Sequence, residues 1–216
     1  MIYKNILFDL DGTLTDPGVG ITNSVMYALK KFNIEVLDRS ELYKFIGPPL
    51  LDSFEKYYGF TPEMSKQALL YYREYFVEKG MFENTVYDGV ENVLTALLEN
   101  GKTLCVATSK PEVYSRKILD YFGLSKYFKF IGGSTLDEKG RIHKADVIKY
   151  VLENVGITDV SKTIMIGDRH YDIDGARVCS LDSVGVLYGY GDETELKDAG
   201  ATYIVEKVED IQRIIY

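Results

Sequence analysis

The stretch Ile6-Leu7-Phe8-Asp9-Leu10-Asp11-Gly12-Thr13-Leu14-Thr15 constrains this chain more than any other. Ile6 to Leu10 is apolar in four positions of five and reads as a buried strand. The run ends in two aspartates one residue apart, followed at once by Gly-Thr. An unpaired carboxylate out of water is so costly that a buried central strand has no structural use for Asp9 and Asp11. Two of them at a strand's carboxyl end point to something cationic between them, most simply a divalent metal. Mg²⁺ takes hard oxygen ligands and keeps several waters, so one or two carboxylates plus a substrate phosphate make an ordinary site for it. Gly12 permits a sharp turn out of the strand and puts no side chain in a ligand's way. A capped turn with two solvated aspartates accounts for the local spacing but not for the apolar run before it.

Bulk properties narrow the classes of function. The 216 residues suffice for one good core, or for a core with a smaller insert. A hydrophobic share of 46% beside 27% charged residues is that of a soluble globular protein. The net charge of -8, with no basic patch to offset it, argues against nucleic acid as a partner. No apolar run approaches the length of a membrane span and no signal peptide is apparent, so a cytoplasmic enzyme is expected. Two cysteines make no disulfide framework, and Cys105 and Cys179 read as inert. His143 and His170 are too few for a His-built zinc site, and no Gly-x-Ser-x-Gly elbow is present.

Along the chain the pattern changes twice. From Pro17 to about Phe82 only helical periodicity is found. An amphipathic helix begins at Ile21, Ser40 reads as the N-cap of a short helix through Phe45, and Leu50 to Tyr58 is a third. Thr61 and Pro62 then supply an N-cap and first-turn proline for a long helix to about Lys79. From Asp88 short apolar strands alternate with helices. Strands are expected at 103–107, 128–131, 163–166, 183–187 and 203–205, with Gly132 to Arg141 as a polar loop. Helices fall between them, at Gly89 to Glu99, Pro111 to Phe122, Lys144 to Val155, Asp172 to Cys179, Glu193 to Ala199 and Val208 to Ile215. Such alternation means a parallel sheet with helices on both faces, which binds its ligands beyond the carboxyl ends of the strands.

Three further strand ends and helix starts carry chemistry. The strand of Val106-Ala107 runs into Thr108-Ser109-Lys110-Pro111, where a hydroxyl suits either a phosphate oxygen or a helix cap. Lys144 opens a helix and is, on its own, an ordinary surface lysine. Met165-Ile166-Gly167 runs into Asp168-Arg169-His170-Tyr171-Asp172, again an apolar strand ending in aspartates. Asp172 reads equally as a helix N-cap, and His170 as a surface or substrate-facing residue.

The stretch Asp9-Leu10-Asp11-Gly12-Thr13-Leu14-Thr15-Asp16 resembles the first motif of the haloacid-dehalogenase-like phosphohydrolase superfamily. Thr108, Lys144 and the Gly167-Asp168…Asp172 stretch resemble its second, third and fourth motifs, in that order, over nearly the whole chain. Relatives often have Lys-Pro where this chain has Lys144-Ala145, so the third motif departs slightly. The resemblance implies a three-layer α/β, Rossmann-like parallel-sheet core over residues 1–15 and 83–216, with an all-helical cap inserted at 16–82. It implies a Mg²⁺-dependent phosphomonoesterase in which Asp9 is the nucleophile and Asp11 the general acid and base. Mg²⁺ would be held by Asp9, the backbone carbonyl of Asp11 and Asp168, with Asp172 acting through water or by holding Lys144. Thr108, Ser109, Lys144 and the backbone amides after Asp9, from Leu10 on, would bind the phosphate of a small-molecule substrate.

Phe45-Ile46-Gly47-Pro48-Pro49-Leu50 and Gly185-Val186-Leu187-Tyr188-Gly189-Tyr190-Gly191 resemble bacterial phosphoglycolate-phosphatase-like members. Phosphoglycolate, a nucleoside monophosphate and pyrophosphate all stay open as substrates, the first mildly favoured. A sugar-phosphate mutase would carry its own signature after the first motif, whereas Asp16-Pro17-Gly18-Val19-Gly20-Ile21 resembles the phosphatase branch. A non-catalytic relative would have lost one of Asp9, Asp11, Lys144 and Asp168, and all four are present.

Overall fold

The computed structural model describes residues 3–137 and 139–216. In chain order the first elements are β1 (Asn5–Phe8), β2 (Thr15–Asp16), α1 (Gly18–Lys31), α2 (Leu50–Tyr58), α3 (Pro62–Tyr75) and β3 (Thr85–Val86). They are followed by α4 (Val90–Glu99), β4 (Thr103–Pro111), α5 (Glu112–Tyr121), β5 (Phe130–Ser134), α6 (Lys144–Val155) and β6 (Thr163–Gly167). The last are α7 (His170–Val178), β7 (Asp182–Val186), α8 (Glu193–Ala199), β8 (Tyr203–Val205) and α9 (Asp210–Ile215). The chain divides into two compact units, one of Met1–Thr15 with Val86–Tyr216, the other Asp16–Thr85.

In the larger unit the apolar run of β1 lies in the middle of a six-stranded sheet of order β5-β4-β1-β6-β7-β8. Each neighbouring pair is parallel. A parallel strand covered on both faces is apolar at successive positions rather than alternating, which is how β1 reads. Ile6, Leu7 and Phe8 are at most 1% exposed. Burying one such side chain fully is worth about 1.5–3 kcal/mol. Leu7, Cys105 and Met165 pack on Val147, Ile148 and Val151 of α6 and Ala176 of α7. The intervening residues Ile6, Phe8, Leu104, Val106, Ile164 and Ile166 point to the opposite face and are equally buried. There α4 packs on β4 and on α9, giving an α/β, Rossmann-like fold in three layers.

Register then decides what meets at the carboxyl end of the sheet. Phe8 is level with Val106 on β4 and with Ile166 on β6. The next residues along each strand, Asp9, Ala107-Thr108 and Gly167-Asp168, therefore emerge side by side.

The smaller unit is helical. α1 packs on α3, and α2 packs on α3. Its interior is aromatic, with Phe54 stacked on Phe60 at 5.8 Å and Phe32 tilted against Phe60 at 4.7 Å. Thr61 caps α3 as expected, its hydroxyl accepting from Met64 N at 3.3 Å, with Pro62 in the first turn. Gly59 ends α2 in the left-handed conformation.

Several boundaries differ from the sequence reading. The cap near residue 40 is Asp38, whose carboxylate accepts from Ser40 N at 2.9 Å, and the element it starts is a 3-10 turn, Arg39–Phe45. An Asp two residues ahead competes well for that amide. α3 stops at Tyr75 and continues as a π turn, Phe76–Gly80. β4 runs on through Pro111 with a register shift after Ala107, where the sequence pattern ends it. β5 includes Gly132, Gly133 and Ser134, which read as loop because glycine has no side chain to mark a strand. A Cβ at Gly133 would sit 2.5 Å from Lys110 O, so the glycine is there for a close backbone approach. α7 starts at His170, two residues before the expected position, and α9 starts at Asp210 rather than Val208.

Both cysteines are free, and burial pushes the Cys105 thiol up to about 11 and raises Cys179 as well, so neither is reactive. No helix among the described residues is long and apolar enough to cross a membrane.

Leu7→Ala should lower unfolding stability by about 2–5 kcal/mol, since it opens a cavity where β1 meets α6 and α7. Urea denaturation should show a lower midpoint with an unchanged slope; a loss below about 1 kcal/mol would contradict the packing described.

Candidate active site

Asp9 continues β1 by one residue, its amide donating to Ile166 O at 2.9 Å. Its Oδ1 accepts from Leu10 N at 2.8 Å. The chain then turns back on itself, Leu14 N and Thr15 N both donating to Leu10 O. Gly12 makes the turn possible at φ 78°, and a Cβ there would lie 2.0 Å from Asp168 Oδ2. Glycine is required twice over, by the backbone and by the neighbour.

The structure brings Asp9, Asp11, Thr108, Lys144, Asp168 and Asp172 to one end of the sheet. Lys144, the first residue of α6, is 5% exposed although it reads as a surface residue. Its ammonium lies 2.9 Å from Asp9 Oδ1, 2.7 Å from Asp172 Oδ1 and 3.1 Å from Ala107 O, to which it donates. The helix starts at Lys144 with alanine at the second position, so the missing proline leaves the lysine in place. Burial alone would pull the ammonium down, but Asp172 and Asp9 outweigh it and hold Lys144 firmly protonated. Asp172 is not a helix N-cap. It occupies the third position of α7, where its Oδ2 accepts from Arg169 N at 3.2 Å.

Thr108 is buried, its hydroxyl accepting from Lys110 N at 3.3 Å, and Ser109 beside it is half-buried. Asp11 is paired with a residue that the sequence reading passed over: Lys110 Nζ is 2.8 Å from Asp11 Oδ2. Burial pushes the Asp11 carboxyl up and Lys110 opposes the shift. The sequence held a signal for this lysine, a cation directly after two hydroxyl residues at a strand end. What it lacked was the register that aims it at Asp11. His170 is no part of the cluster; its Nδ1 lies 3.2 Å from Asp174 Oδ2.

Asp168 is fully buried. Burial, with repulsion from Asp172 and Asp9, pushes its carboxyl well up, opposed by the Tyr190 amide that donates to Oδ2 at 2.8 Å. Its other oxygen, Oδ1, has no hydrogen-bond partner among the described residues. Oxygens of Asp9, Asp168 and Asp172 lie within 4.8 Å of one another. At an effective dielectric near 20, two full charges at that distance repel by about 3 kcal/mol. Four carboxylates, those of Asp9, Asp11, Asp168 and Asp172, face two ammonium groups, Lys110 and Lys144. Carboxyl groups thus outnumber ammonium groups here, and the orphaned Asp168 Oδ1 is a hard oxygen donor. Both observations fit a divalent cation of the Mg²⁺ kind, held by Asp9 and Asp168.

The loop after Asp168 is pinned from outside the cluster. Glu195 Oε1 accepts from both Arg169 Nε and His170 N, each at 2.9 Å. Nothing in the sequence tied this glutamate to the strand end, because the pair is formed across 26 residues.

Lys144→Met should destabilise the fold by about 3–5 kcal/mol, because it leaves buried carboxylates facing one another. Adding Asp172→Asn should restore a good part of that loss. The comparison is read by urea denaturation; a double variant no more stable than Lys144→Met would sink the charge-balance account.

A family model described as haloacid dehalogenase-like hydrolase matches residues 6–186. A 5'-nucleotidase from Pseudomonas aeruginosa is 43% identical over 99% of this chain and 96% of its own length. A tyrosine-protein kinase, PtkA, from Mycobacterium tuberculosis is 33% identical over 97% of this chain and 70% of its own. Among solved structures, one described as a predicted phosphatase from Clostridium acetobutylicum superimposes with a TM-score of 0.95 at 52% identity, covering 100% of this chain and 99% of that one. With a family model spanning most of its length, a fold shared with close structural relatives and charged groups gathered at the strand ends, the chain belongs to the haloacid dehalogenase-like hydrolases.

Proposed function

We propose that the protein is a Mg²⁺-dependent phosphomonoesterase working through an aspartyl-phosphate on Asp9. The observation that carries the reading is the Lys144 ammonium held between Asp9 and Asp172, beside an unsatisfied Asp168 oxygen. The ammonium beside Asp9 provides a field that suits a phosphoryl group's charge.

In the first step Asp9 attacks phosphorus, the phosphorus–oxygen bond to the leaving group breaks, and Asp11 gives its proton to the departing oxygen. In the second, Asp11 takes a proton from water as that water attacks the phosphoryl group, releasing phosphate and returning Asp9. The upward push on Asp11 from burial supports its acid role, and Lys110 supports its return to the charged form. Thr108, Ser109, Lys144 and the Leu10 amide hold the phosphoryl oxygens. A bound Mg²⁺ would supply further charge stabilisation and orientation at Asp9, the Asp11 carbonyl and Asp168.

The helical unit is assigned the role of cap, excluding water and selecting the leaving group. The substrate class is a small phosphomonoester. The name of the relative at 43% identity moves a nucleoside monophosphate ahead of phosphoglycolate. A cytoplasmic setting belongs to the same reading.

A second outcome shares the first step. The phosphoryl group would pass from Asp9 to a hydroxyl acceptor instead of water, and similarity to a protein named tyrosine-protein kinase favours keeping it in view.

Phosphate release from a panel of nucleoside monophosphates, phosphoglycolate and pyrophosphate, with Mg²⁺, tests the reading. Asp9→Asn should lose at least about a thousandfold in turnover. Chelation by EDTA should abolish release and excess Mg²⁺ should restore it. Turnover that survives in purified Asp9→Asn would falsify the mechanism. Labelled enzyme that discharges only to an added hydroxyl acceptor would select phosphotransfer.

A further inference from the structure

We infer that the segment Tyr188-Gly189-Tyr190-Gly191 is a positioning clamp that occupies one oxygen of Asp168, so that only Oδ1 would be free to hold a cation. The inference rests on the metal reading above and extends it to a segment that lies outside the four motifs.

The segment follows β7 and closes over Asp168. Tyr190 N donates to Asp168 Oδ2 at 2.8 Å, while Oδ1 of the same buried carboxylate has no hydrogen-bond partner among the described residues. The two oxygens are thus made unlike, one held by the Tyr190 amide and one left without a partner. Two glycines make that approach possible. A Cβ at Gly189 would lie 2.4 Å from both Asp168 Cβ and Gly12 O, and a Cβ at Gly191 would lie 2.0 Å from Asp168 O. Neither neighbour can yield: one is the ligand's own stem and the others are backbone. Any other residue at 189 would lift the segment and withdraw the Tyr190 amide.

The segment is also anchored at its start. The Tyr188 hydroxyl donates to Thr13 O at 3.0 Å, in the turn that follows Asp11, and its ring meets Tyr87 edge-on at 5.0 Å. One tyrosine therefore ties the segment holding Asp168 to the turn that carries Asp9 and Asp11. Groups one shell out from a metal commonly set ligand orientation and tune affinity in this way. Glu195 restrains the loop that follows Asp168, through Arg169 and His170.

The test is Mn²⁺ binding to the whole protein without substrate, titrated by electron paramagnetic resonance, with the thermal midpoint measured beside it. Tyr188→Phe removes one hydrogen bond and little volume. It should weaken Mn²⁺ binding by about tenfold while moving the midpoint little. Gly189→Ala should weaken binding further, and if it fails to fold, Tyr188→Phe decides. Asp168→Asn should abolish binding and serves as the reference. Variants that fall in stability yet bind Mn²⁺ as the wild type does would overturn the clamp and leave the metal site standing. A wild-type protein that takes up no Mn²⁺ would overturn both, even if Asp9-dependent phosphate release persists.

Discussion

Buried negative charge at the carboxyl end of the sheet is the constraint on which the rest of this structure depends. Asp9, Asp168 and Asp172 bring their oxygens within 4.8 Å of one another in a place water barely reaches. Left alone, such a cluster would force its members to protonate or the sheet to open. Lys144 opposes this by reaching Asp9 and Asp172 together, and Lys110 does the same for Asp11, while Asp168 is left to its backbone partner. The compensation is incomplete, since Asp168 Oδ1 has no hydrogen-bond partner among the described residues.

The scaffold explains how the cluster is kept so tight. β1 is apolar on both faces because β4, β6 and two helical layers enclose it, so its end is fixed in position and direction. The chemical groups enter from five elements: Asp9 just past β1, Thr108 and Lys110 from β4, Lys144 from α6, Asp168 just past β6 and Asp172 from α7. A site assembled from rigid elements by parallel register holds its geometry better than one built on loops alone. The loops that remain are tied down. Gly12 lets the first turn pass against Asp168, and the Tyr188–Gly191 segment closes over the same residue.

Much of this was legible along the chain, and for identifiable reasons. Asp9-Leu10-Asp11-Gly12 and Gly167-Asp168 announce themselves because a carboxylate at the end of an apolar strand is costly unless a cation meets it there. The β-α alternation after Asp88 foretold the parallel sheet, since period and element length are local properties. The glycine-rich end of β5 was missed for the converse reason, as glycine leaves no local trace of a strand. Ser40 looks like the cap where Asp38 is one, because both residue types cap well and only the backbone geometry chooses.

Residue type and order by themselves determined the fold class, the strand ends that carry chemistry and the kind of cation they could hold. These follow from hydrophobic periodicity and from the cost of burying a carboxylate, both written locally. Tertiary structure alone decided that Lys144 is buried between two aspartates rather than exposed, that Lys110 serves Asp11, and that Glu195 and the Tyr188 hydroxyl brace the loops. Those pairings join residues 25 to 175 positions apart. Long-range pairing is set by strand register and helix packing, which no local pattern encodes.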